Sequence, residues 1–440
     1  MSVKGVITRY PPSPTGPLHI GRVRTMLYNY LFTKQNDGKI ILRFEDTDAI
    51  RSKTEFESNI IESLKWLGLT YDEGPLKQTD RITIYKKYIN DLITRNVAYV
   101  SKEEVTKENQ RPEVIRFRNP NKLVTFTDLL RGEISFDTTD LGDFIIARSF
   151  DEPLYHLTVA IDDHEMSITH VIRGEEHISN TPRQILIQEA IGAKRPIYAH
   201  MPLILAPDKS KLSARHGAKS VLEYRDEGYL PEAIINFVAF MGWHPKDDRE
   251  VLSMDELLAD FGLARVQKAG AVFDIVKLNW LNREHMKRLA PEELQKQSAG
   301  FFPNKESQKF LSILLERIDK FGDITTLLAP KGEYNFLISK PEYTTELLLG
   351  KSGITKEEVK QNLTEVKKLI ETLNEDKFSA EDVKEKIWDY ATQEGRGKVL
   401  WPMRVALSGR ERSPDPFTLA SSLNKTESLT RLQSAIDMLY

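Results

Sequence analysis

The chain has 440 residues, which is long enough to predict several domains, and its net charge of −3 means that any RNA binding must come from local basic patches. The absence of cysteine excludes disulfides, a cysteine nucleophile and a zinc site built on thiolates. No apolar run approaches a membrane span and the stretch MSVKGVITRY lacks the apolar core of a signal peptide, so we expect a cytoplasmic protein with no membrane partner.

The first half of the chain alternates strand and helix patterns. Val3 to Tyr10 predicts a buried strand, PPSPTGPLHIG a loop, and residues 22–35 a helix with apolar residues at helical spacing. KIILRFEDTD predicts a second strand that ends in acids. Such a unit joins parallel strands, and ligands of these folds bind beyond the carboxyl ends of the strands. Both the loop and the acids fall there.

Further along, residues 97–155 break this pattern with short strands and charged turns, and we interpret them as an insertion. Ser52 and Glu55 predict a capping box, whereas Thr181 with Pro182 predicts an N-cap and first helical position. SITHVIRG resumes the α/β pattern as a strand. After about Glu223 the patterns are mostly helical and include FLSILLERIDKF, so the last third is predicted to be α.

The loop PSPTGPLHIG carries the first candidate site. Gly16 and Gly21 permit close approach to a phosphate, and His19 supplies a donor near the start of a helix. Alone, a His in such a loop is more often structural, and the chain has neither GxxxxGK[ST] nor GxGxxG. The whole string PSPTGPLHIGRVRT resembles the HIGH element of class I aminoacyl-tRNA synthetases, in the form found in the glutamyl and glutaminyl enzymes, with Arg22 at its last position.

Two acidic strings follow. By itself, RFEDTD indicates either a solvated turn or a metal site; the resemblance implies that Glu45 receives the substrate ammonium and that Arg51 lies near the tRNA end. In LYHLTVAIDDHEMSITHVIRGEEHISNTPRQ, the acids before His164 fit no standard zinc spacing. There the resemblance implies glutamate-binding and ATP-site residues, the former being Tyr155 and Arg173, the latter Glu176 and His177.

Two basic strings complete the pattern. DKSKLSARHG indicates a solvated surface when taken alone, but it resembles the KMSKS loop, with Ala214 where the second lysine normally stands; the matching residues are Lys211, Leu212, Ser213 and Arg215. GRGKVLWPMRVALSGRER is either a solvated helix face or an RNA-binding stretch. It resembles the anticodon-contacting helical domain of bacterial glutamyl-tRNA synthetases, which implies tRNA contacts for Arg396, Lys398 and Arg404.

The resemblance runs from Arg9 to the C-terminus and implies a Rossmann-like catalytic domain with an inserted acceptor-binding segment, followed by helical stem-contact and anticodon-binding domains. The predicted domains cover residues 1–96 and 156–222 (catalytic, in two halves), 97–155 (insertion), 223–300 (stem contact) and 301–440 (anticodon binding, with an inner boundary near 374).

The implied activity is glutamate–tRNA ligation through a glutamyl-adenylate. The substrates are L-glutamate, ATP with Mg²⁺, and tRNA(Glu), while charging of tRNA(Gln) is left open; we expect no protein-bound zinc and a monomer. A ribose hydroxyl of the terminal adenosine, the 2′ in class I, displaces AMP. Arg9 and Arg173 would pair with the γ-carboxylate, and Ser13, Glu45 and Tyr155 would orient the α-amino end.

Three alternatives compete with this interpretation. A truncated paralogue that glutamylates a modified tRNA base lacks a helical C-terminal half, and glutaminyl-tRNA synthetase has a β-barrel there. A non-catalytic RNA- or nucleotide-binding homologue is suggested by Ala214. The intact strings HIG, EDTD and VIRGEEH argue against it.

Overall fold

The computed structural model describes residues 5–104, 112–210, 212, 219–350 and 353–440. The chain forms two compact units, Met1–Lys287 and Arg288–Tyr440. The strands of the first unit are β1 (Ile7–Tyr10), β2 (Lys39–Phe44), β3 (Glu73–Lys77), β4 (Ala98–Lys102), β5 (Glu113–Phe117), β6 (Leu123–Asp128), β7 (Gly132–Asp137), β8 (Phe144–Ser149), β9 (Glu152–Pro153), β10 (His170–Gly174), β11 (Ile197–Met201), β12 (Ile204–Leu205) and β13 (Ala271–Val272). Its helices are α1 (Ile20–Gln35), α2 (Thr54–Trp66), α3 (Ile82–Thr94), α4 (Tyr155–Glu165), α5 (Thr181–Ala190), α6 (Val221–Asp226), α7 (Pro231–Ala239), α8 (Met254–Asp260) and α9 (Ile275–Met286).

Parallel strands form the centre of the first unit, as the sequence predicts. β1 pairs with β2, β2 with β3, and β10 with β11, all in parallel. Thr169 joins the two sets: its amide donates to the Ile7 carbonyl at 2.9 Å, and its hydroxyl accepts from the Ile7 amide at 2.8 Å. The strands therefore lie in the order β3-β2-β1-β10-β11, which is the doubly wound arrangement of a Rossmann-like fold.

The segment predicted as an insertion contains the antiparallel strands β4 to β9. β4, β5, β8 and β9 form one sheet, and β6 and β7 form a hairpin. This hairpin extends the central sheet, because Asp128 at the end of β6 pairs with Tyr198 on β11. The inserted segment thereby places Asp128 against β11, the strand next to β10.

Three local predictions differ from the structure. Helix α2 begins at Thr54, one position later than a capping box from Ser52 would require, and its N-cap Lys53 makes no side-chain cap hydrogen bond. Thr181 is the first residue of α5 rather than its N-cap. FLSILLERIDKF is not one helix: the helix Leu311–Leu315 ends within it, and the Asp323 carboxylate accepts the Asp319 amide at 2.8 Å in front of a new helix.

The second unit is helical in the part of it that is described. Its helices are α10 (Pro291–Ser298), α11 (Leu311–Leu315), α12 (Gly322–Leu328), α13 (Thr345–Leu349), α14 (Lys356–Glu371), α15 (Ala380–Glu394), α16 (Arg396–Ser408), α17 (Pro416–Leu423) and α18 (Lys425–Asp437). Capping boxes begin α14 at Thr355 and α15 at Ser379. Among the described residues, no helix has the length and apolar character needed to cross a membrane.

Candidate active site

A cavity of about 630 Å³ opens beyond the carboxyl ends of β1, β2 and β10, beside the start of α1. It brings together nine of the predicted site residues, which are Arg9, Ser13, His19, Gly21, Glu45, Tyr155, Arg173, Glu176 and His177. These residues are up to 168 positions apart in the chain (177 − 9); they lie on or after β1, β2 and β10 or at the starts of α1 and α4. The position of the cavity is the one expected of a ligand site in such a fold.

The N-terminus of α1 forms one wall of the cavity. Its first turn contains no acidic residue, and the free backbone N–H groups there favour an anion such as phosphate. A Cβ added at Gly21 would have Ile204 Cδ1 as its nearest neighbour outside α1, at 3.8 Å, so the glycine leaves open space that a ligand can use. His19 Nδ1 lies 3.3 Å from the Lys219 carbonyl and donates to it in the matching tautomer, which leaves Nε2 for another partner.

Arg9 on β1 supplies a buried positive charge. Its Nε donates to Asp163 at 3.2 Å, while its Nη1 is buried and has no hydrogen-bond partner among the described residues. Burial raises the pKa of Asp163, but Arg9 and Arg43 outweigh that effect and lower it, so the carboxyl is charged. A buried guanidinium N–H without a partner is costly, and an anionic ligand would satisfy it.

Arg43 and Glu45, both on or next to β2, lie beside Arg9, and of these two Glu45 lines the cavity. Arg43 is completely buried and donates to Asp163 at 2.9 Å and to Glu45 at 3.3 Å. Burial raises the pKa of Glu45 more than Arg43 and Arg9 lower it. A cationic ligand beside Glu45 would lower this pKa again and would favour the charged carboxylate.

The acids before His164 are held by side chains of the protein. Asp162 accepts hydrogen bonds at 2.8–2.9 Å from Gln78, Arg81 and Tyr85, and Asp163 is shared by two arginines. Within the described ranges, no group of three or more His, Cys, Asp or Glu side chains is arranged to hold a metal ion. The chemistry of this part of the site is therefore ion pairing.

Arg173 on β10 faces the cavity from the opposite side. Its Nε donates to His200 Nε2 at 3.1 Å and its Nη2 to the Thr181 hydroxyl at 2.8 Å. Its Nη1 is buried without a partner in the described part of the chain, as is that of Arg9. Nearby, the Tyr155 hydroxyl lies 3.2 Å from His177 Nδ1, and burial is the main reason that the pKa of Tyr155 is raised.

These contacts leave the site with an excess of positive charge. Asp162 also lies 3.7 Å from Arg43 Nε, but its closest ion pair is with Arg81, at 2.8 Å. The charged side chains that line the cavity belong to four arginines and two glutamates, which are Arg9, Arg22, Arg24, Arg173, Glu45 and Glu176; behind them, Arg43 and Asp163 offset each other. The arrangement is suited to anionic ligands, with a carboxylate at the Nη1 groups of Arg9 and Arg173, which have no partner among the described residues.

Several predicted residues lie elsewhere. Gly16 does not line the cavity, and Arg51 is 72% exposed and paired with Asp48. Lys211, Ser213 and Arg215 lie outside the described residues, as does Ala214; Leu212, between them, lines the cavity.

The three predicted tRNA-binding residues of α16 lie in the second unit, each in a different environment. Arg396 is exposed, with its guanidinium 4.4 Å from the Trp388 ring centre. Lys398 pairs with Glu358 at 3.1 Å. Arg404 is partly buried, with its guanidinium 4.8 Å from the Trp401 ring centre.

Sequence reasoning missed the groups that hold the two arginines. Asp163 appeared in the sequence only as part of an acidic run, and His200 and Asp128 were not singled out at all. A buried position within IDDHE is compatible with an ion-pair role, but nothing in the sequence identifies the partner. His200 stands on β11, the parallel neighbour of the strand that carries Arg173, and this placement is known only from the tertiary structure.

The chain matches known families along almost its entire length. Residues 5–111 and 100–280 match the family described as tRNA synthetases class I (E and Q), catalytic domain, and residues 278–436 match the anticodon binding domain family. It is 38% identical to the glutamate–tRNA ligase of Carboxydothermus hydrogenoformans, covering 98% of this chain and 99% of that protein. Glutamate–tRNA ligase 2 of Thermoanaerobacter pseudethanolicus is 36% identical, covering 99% of this chain and 98% of its own.

The three-dimensional comparison agrees. A crystal structure of a glutamate tRNA ligase from Elizabethkingia meningosepticum, in complex with its amino acid, is similar with a TM-score of 0.87 at 32% identity, covering 99% of this chain and 100% of that one. The glutamate–tRNA synthetase of Elizabethkingia anophelis is similar with a TM-score of 0.85 at 31% identity, with the same coverage.

Proposed function

Because the chain belongs to the glutamate–tRNA ligase family of class I aminoacyl-tRNA synthetases, we propose that the cavity of its first unit is where glutamate is activated. The enzyme attaches glutamate to tRNA at the expense of ATP. The α-carboxylate attacks the α-phosphorus of ATP to form glutamyl-adenylate and diphosphate, and a ribose hydroxyl of the tRNA then displaces AMP. Catalysis needs no protein nucleophile and consists of positioning and charge stabilisation.

One observation carries the assignment of the glutamate site: two buried guanidinium nitrogens without partners line the same cavity. We assign the Nη1 groups of Arg9 and Arg173 to the γ-carboxylate of glutamate. Glutamine would leave the excess positive charge uncompensated in a buried site, so the same geometry rejects the neutral amide. Ser13, Glu45 and Tyr155 lie where they can orient the α-amino end.

The ATP site occupies the other side of the cavity. The backbone at Gly21 and the ring of His19 would meet the phosphates, and Glu176 and His177 would border the nucleotide. We keep Gly16 in the phosphate-binding loop and assign Lys211, Ser213 and Arg215, which flank Leu212 in the chain, to the phosphates. Mg²⁺ accompanies ATP and would be held by phosphate and water oxygens, since the described residues offer no ligand cluster.

The remaining assignments concern partners. We propose that tRNA(Glu) is the tRNA substrate, that Arg51 lies near its acceptor end, and that Arg396, Lys398 and Arg404 contact it in the second unit. We further propose that the enzyme acts as a monomer in the cytoplasm. Parallel charging assays on tRNA(Glu) and tRNA(Gln) decide whether the second tRNA is also a substrate.

Substitution of the two arginines tests the glutamate site. Arg9→Ala and Arg173→Ala should each lose a charge-assisted contact of about 2–5 kcal/mol, which lowers kcat/KM for glutamate by about 30-fold to several thousand-fold. The measurement is ATP–pyrophosphate exchange with tRNA present, and KM for ATP serves as the internal control. Near-normal glutamate kinetics in Arg173→Ala would contradict the assignment.

A further inference from the structure

Arg173 is held by groups that do not themselves reach the cavity. Arg173 and His200 are register partners on the parallel strands β10 and β11, and the Arg173 Nε donates to His200 Nε2 at 3.1 Å. His200 is completely buried and its Nδ1 lies 2.6 Å from Asp128 at the end of β6. Arg173 lines the cavity, whereas His200 and Asp128 do not.

We propose that Asp128 and His200 are positioning residues for glutamate recognition, in which Asp128 fixes a neutral His200 whose Nε2 lone pair orients the Arg173 guanidinium toward the γ-carboxylate. This inference rests on the proposed role of Arg173. It adds a specificity-determining pair, one member of which comes from the inserted segment.

The hydrogen bonds permit only one protonation state of His200. An arginine nitrogen can only donate, so the Nε2 that faces Arg173 must be the accepting lone pair. The ring proton therefore lies on Nδ1 and is donated to Asp128. Thr181 is compatible with this state, because its hydroxyl accepts from Arg173 at 2.8 Å and its one proton can be donated either to the His177 carbonyl at 3.0 Å or to the His200 Nε2 lone pair at 3.2 Å.

Asp128 is built as a fixed acceptor. The residue is 1% exposed. Its Oδ1 accepts hydrogen bonds from the backbone amides of Leu130 and Arg131 at 2.9 and 3.0 Å. Its Oδ2 accepts from the backbone amide of His200 at 3.0 Å and from the His200 ring Nδ1 at 2.6 Å. Burial raises the pKa of Asp128, but these hydrogen bonds outweigh it and lower the pKa, so the acceptor is a carboxylate. The pKa of His200 is lowered, mainly by burial, in agreement with the neutral ring.

The aromatic neighbours of His200 leave the ring little freedom. The Tyr198 ring is stacked on it at 6.0 Å between ring centres with an interplanar angle of 11°, and Phe126 contacts it edge-on at 6.3 Å. A rigid ring with a defined lone pair sets the rotation of the planar guanidinium about the Cδ–Nε bond of Arg173. That rotation decides where the free Nη1 lies.

Two uncharged substitutions of His200 form a matched pair. His200→Gln places an amide oxygen near the position of Nε2 and can still accept from Arg173. His200→Asn keeps polar atoms near Nδ1 but offers no acceptor to Arg173. Asp128→Asn presents an amide N–H to His200, which favours the other tautomer and turns an N–H group against the Arg173 Nε.

We expect His200→Asn and Asp128→Asn to raise KM for glutamate by about tenfold to a hundredfold in aminoacylation at saturating ATP and tRNA. KM for ATP, KM for tRNA and kcat should change by less than about threefold, and His200→Gln should recover most of the glutamate KM. Thermal unfolding of each variant, and the same assay on Arg173→Ala, accompany these measurements.

The outcomes separate the two levels of the hypothesis. If Arg173→Ala leaves KM for glutamate unchanged, the proposed role of Arg173 is wrong. If Arg173→Ala raises KM but His200→Asn and His200→Gln behave alike, the positioning pair is refuted. An equal loss in Tm and in every kinetic constant for both His200 variants also refutes it, because a purely structural role predicts that result.

Discussion

Most buried charged groups at the cavity form ion pairs within the protein, and the buried guanidinium nitrogens that have no protein partner among the described residues are available to a ligand. Asp163 is 3% exposed in its side chain and holds Arg9 and Arg43 at 3.2 and 2.9 Å. Each arginine keeps nitrogen atoms that the carboxylate does not reach. Asp163 therefore contributes to the stability of the fold and, because it holds Arg9 in place, to the recognition of the ligand.

Asp163→Asn should destabilise the first unit, because two buried guanidinium groups would lose their shared counter-charge. Removal of one partner from a buried ion pair costs about 3–5 kcal/mol. The pKa of Asp163 is lower in the folded than in the unfolded chain, so its contribution is present above about pH 4 and is lost as the pH falls through the folded pKa. Urea unfolding at several pH values measures the free energy of unfolding of the variant. Asp151→Asn is the control, because Asp151 forms an exposed ion pair with Lys86. Equal stability losses in both variants would contradict the prediction.

Glu45 should make glutamate binding sensitive to acid. Its pKa is raised, chiefly by burial, so it loses its charge at a higher pH than an exposed glutamate, which titrates near about 4.3. As the pH falls toward the raised pKa, the substrate ammonium loses its partner, and KM for glutamate should rise by about tenfold to 150-fold. Glu45→Gln should show the high KM already at neutral pH and little further rise. A Glu45→Gln profile identical to that of the parent enzyme would remove Glu45 from the ammonium site.

At the level of elements, the start of α1 combines a phosphate-binding geometry with an open position at Gly21. Gly21→Ala should leave folding intact, since the added methyl meets only ordinary contact with Ile204 at 3.8 Å and alanine favours a helix by about 1 kcal/mol over glycine. The methyl nevertheless enters the space assigned to ATP. We expect an unchanged or higher Tm with KM for ATP raised by about tenfold or more. Gly300→Ala, with no atom within 4 Å of the new methyl, is the control. An unchanged KM for ATP would place the phosphates elsewhere.

For the whole molecule, tRNA affinity must come from local groups because the net charge is −3. Arg396 is exposed on α16, whereas Lys398 is already paired with Glu358. We therefore expect Arg396→Ala to reduce tRNA affinity and to lower the slope of log affinity against log salt by about 0.7–0.9 per lost phosphate contact, and Lys398→Ala to do less. Filter binding across a salt series measures both, with the exposed Lys296→Ala as the control. Equal salt slopes for all three variants would show that these residues of α16 make no phosphate contact with tRNA.

The sequence by itself determined the parallel β/α beginning, the helical end, the family and the residues that meet at the cavity. Strand and helix periodicity are local properties, and motifs such as PSPTGPLHIG and VIRGEEH lie within single short stretches of chain. The tertiary structure alone decided which charges neutralise each other. Asp163 and Arg9 are 154 positions apart, and Asp128 and His200 are 72 apart, so no local pattern links them. The shift of α2 to Thr54 and the break after Leu315 have the same origin, since helix ends depend on which partner satisfies the terminal amides.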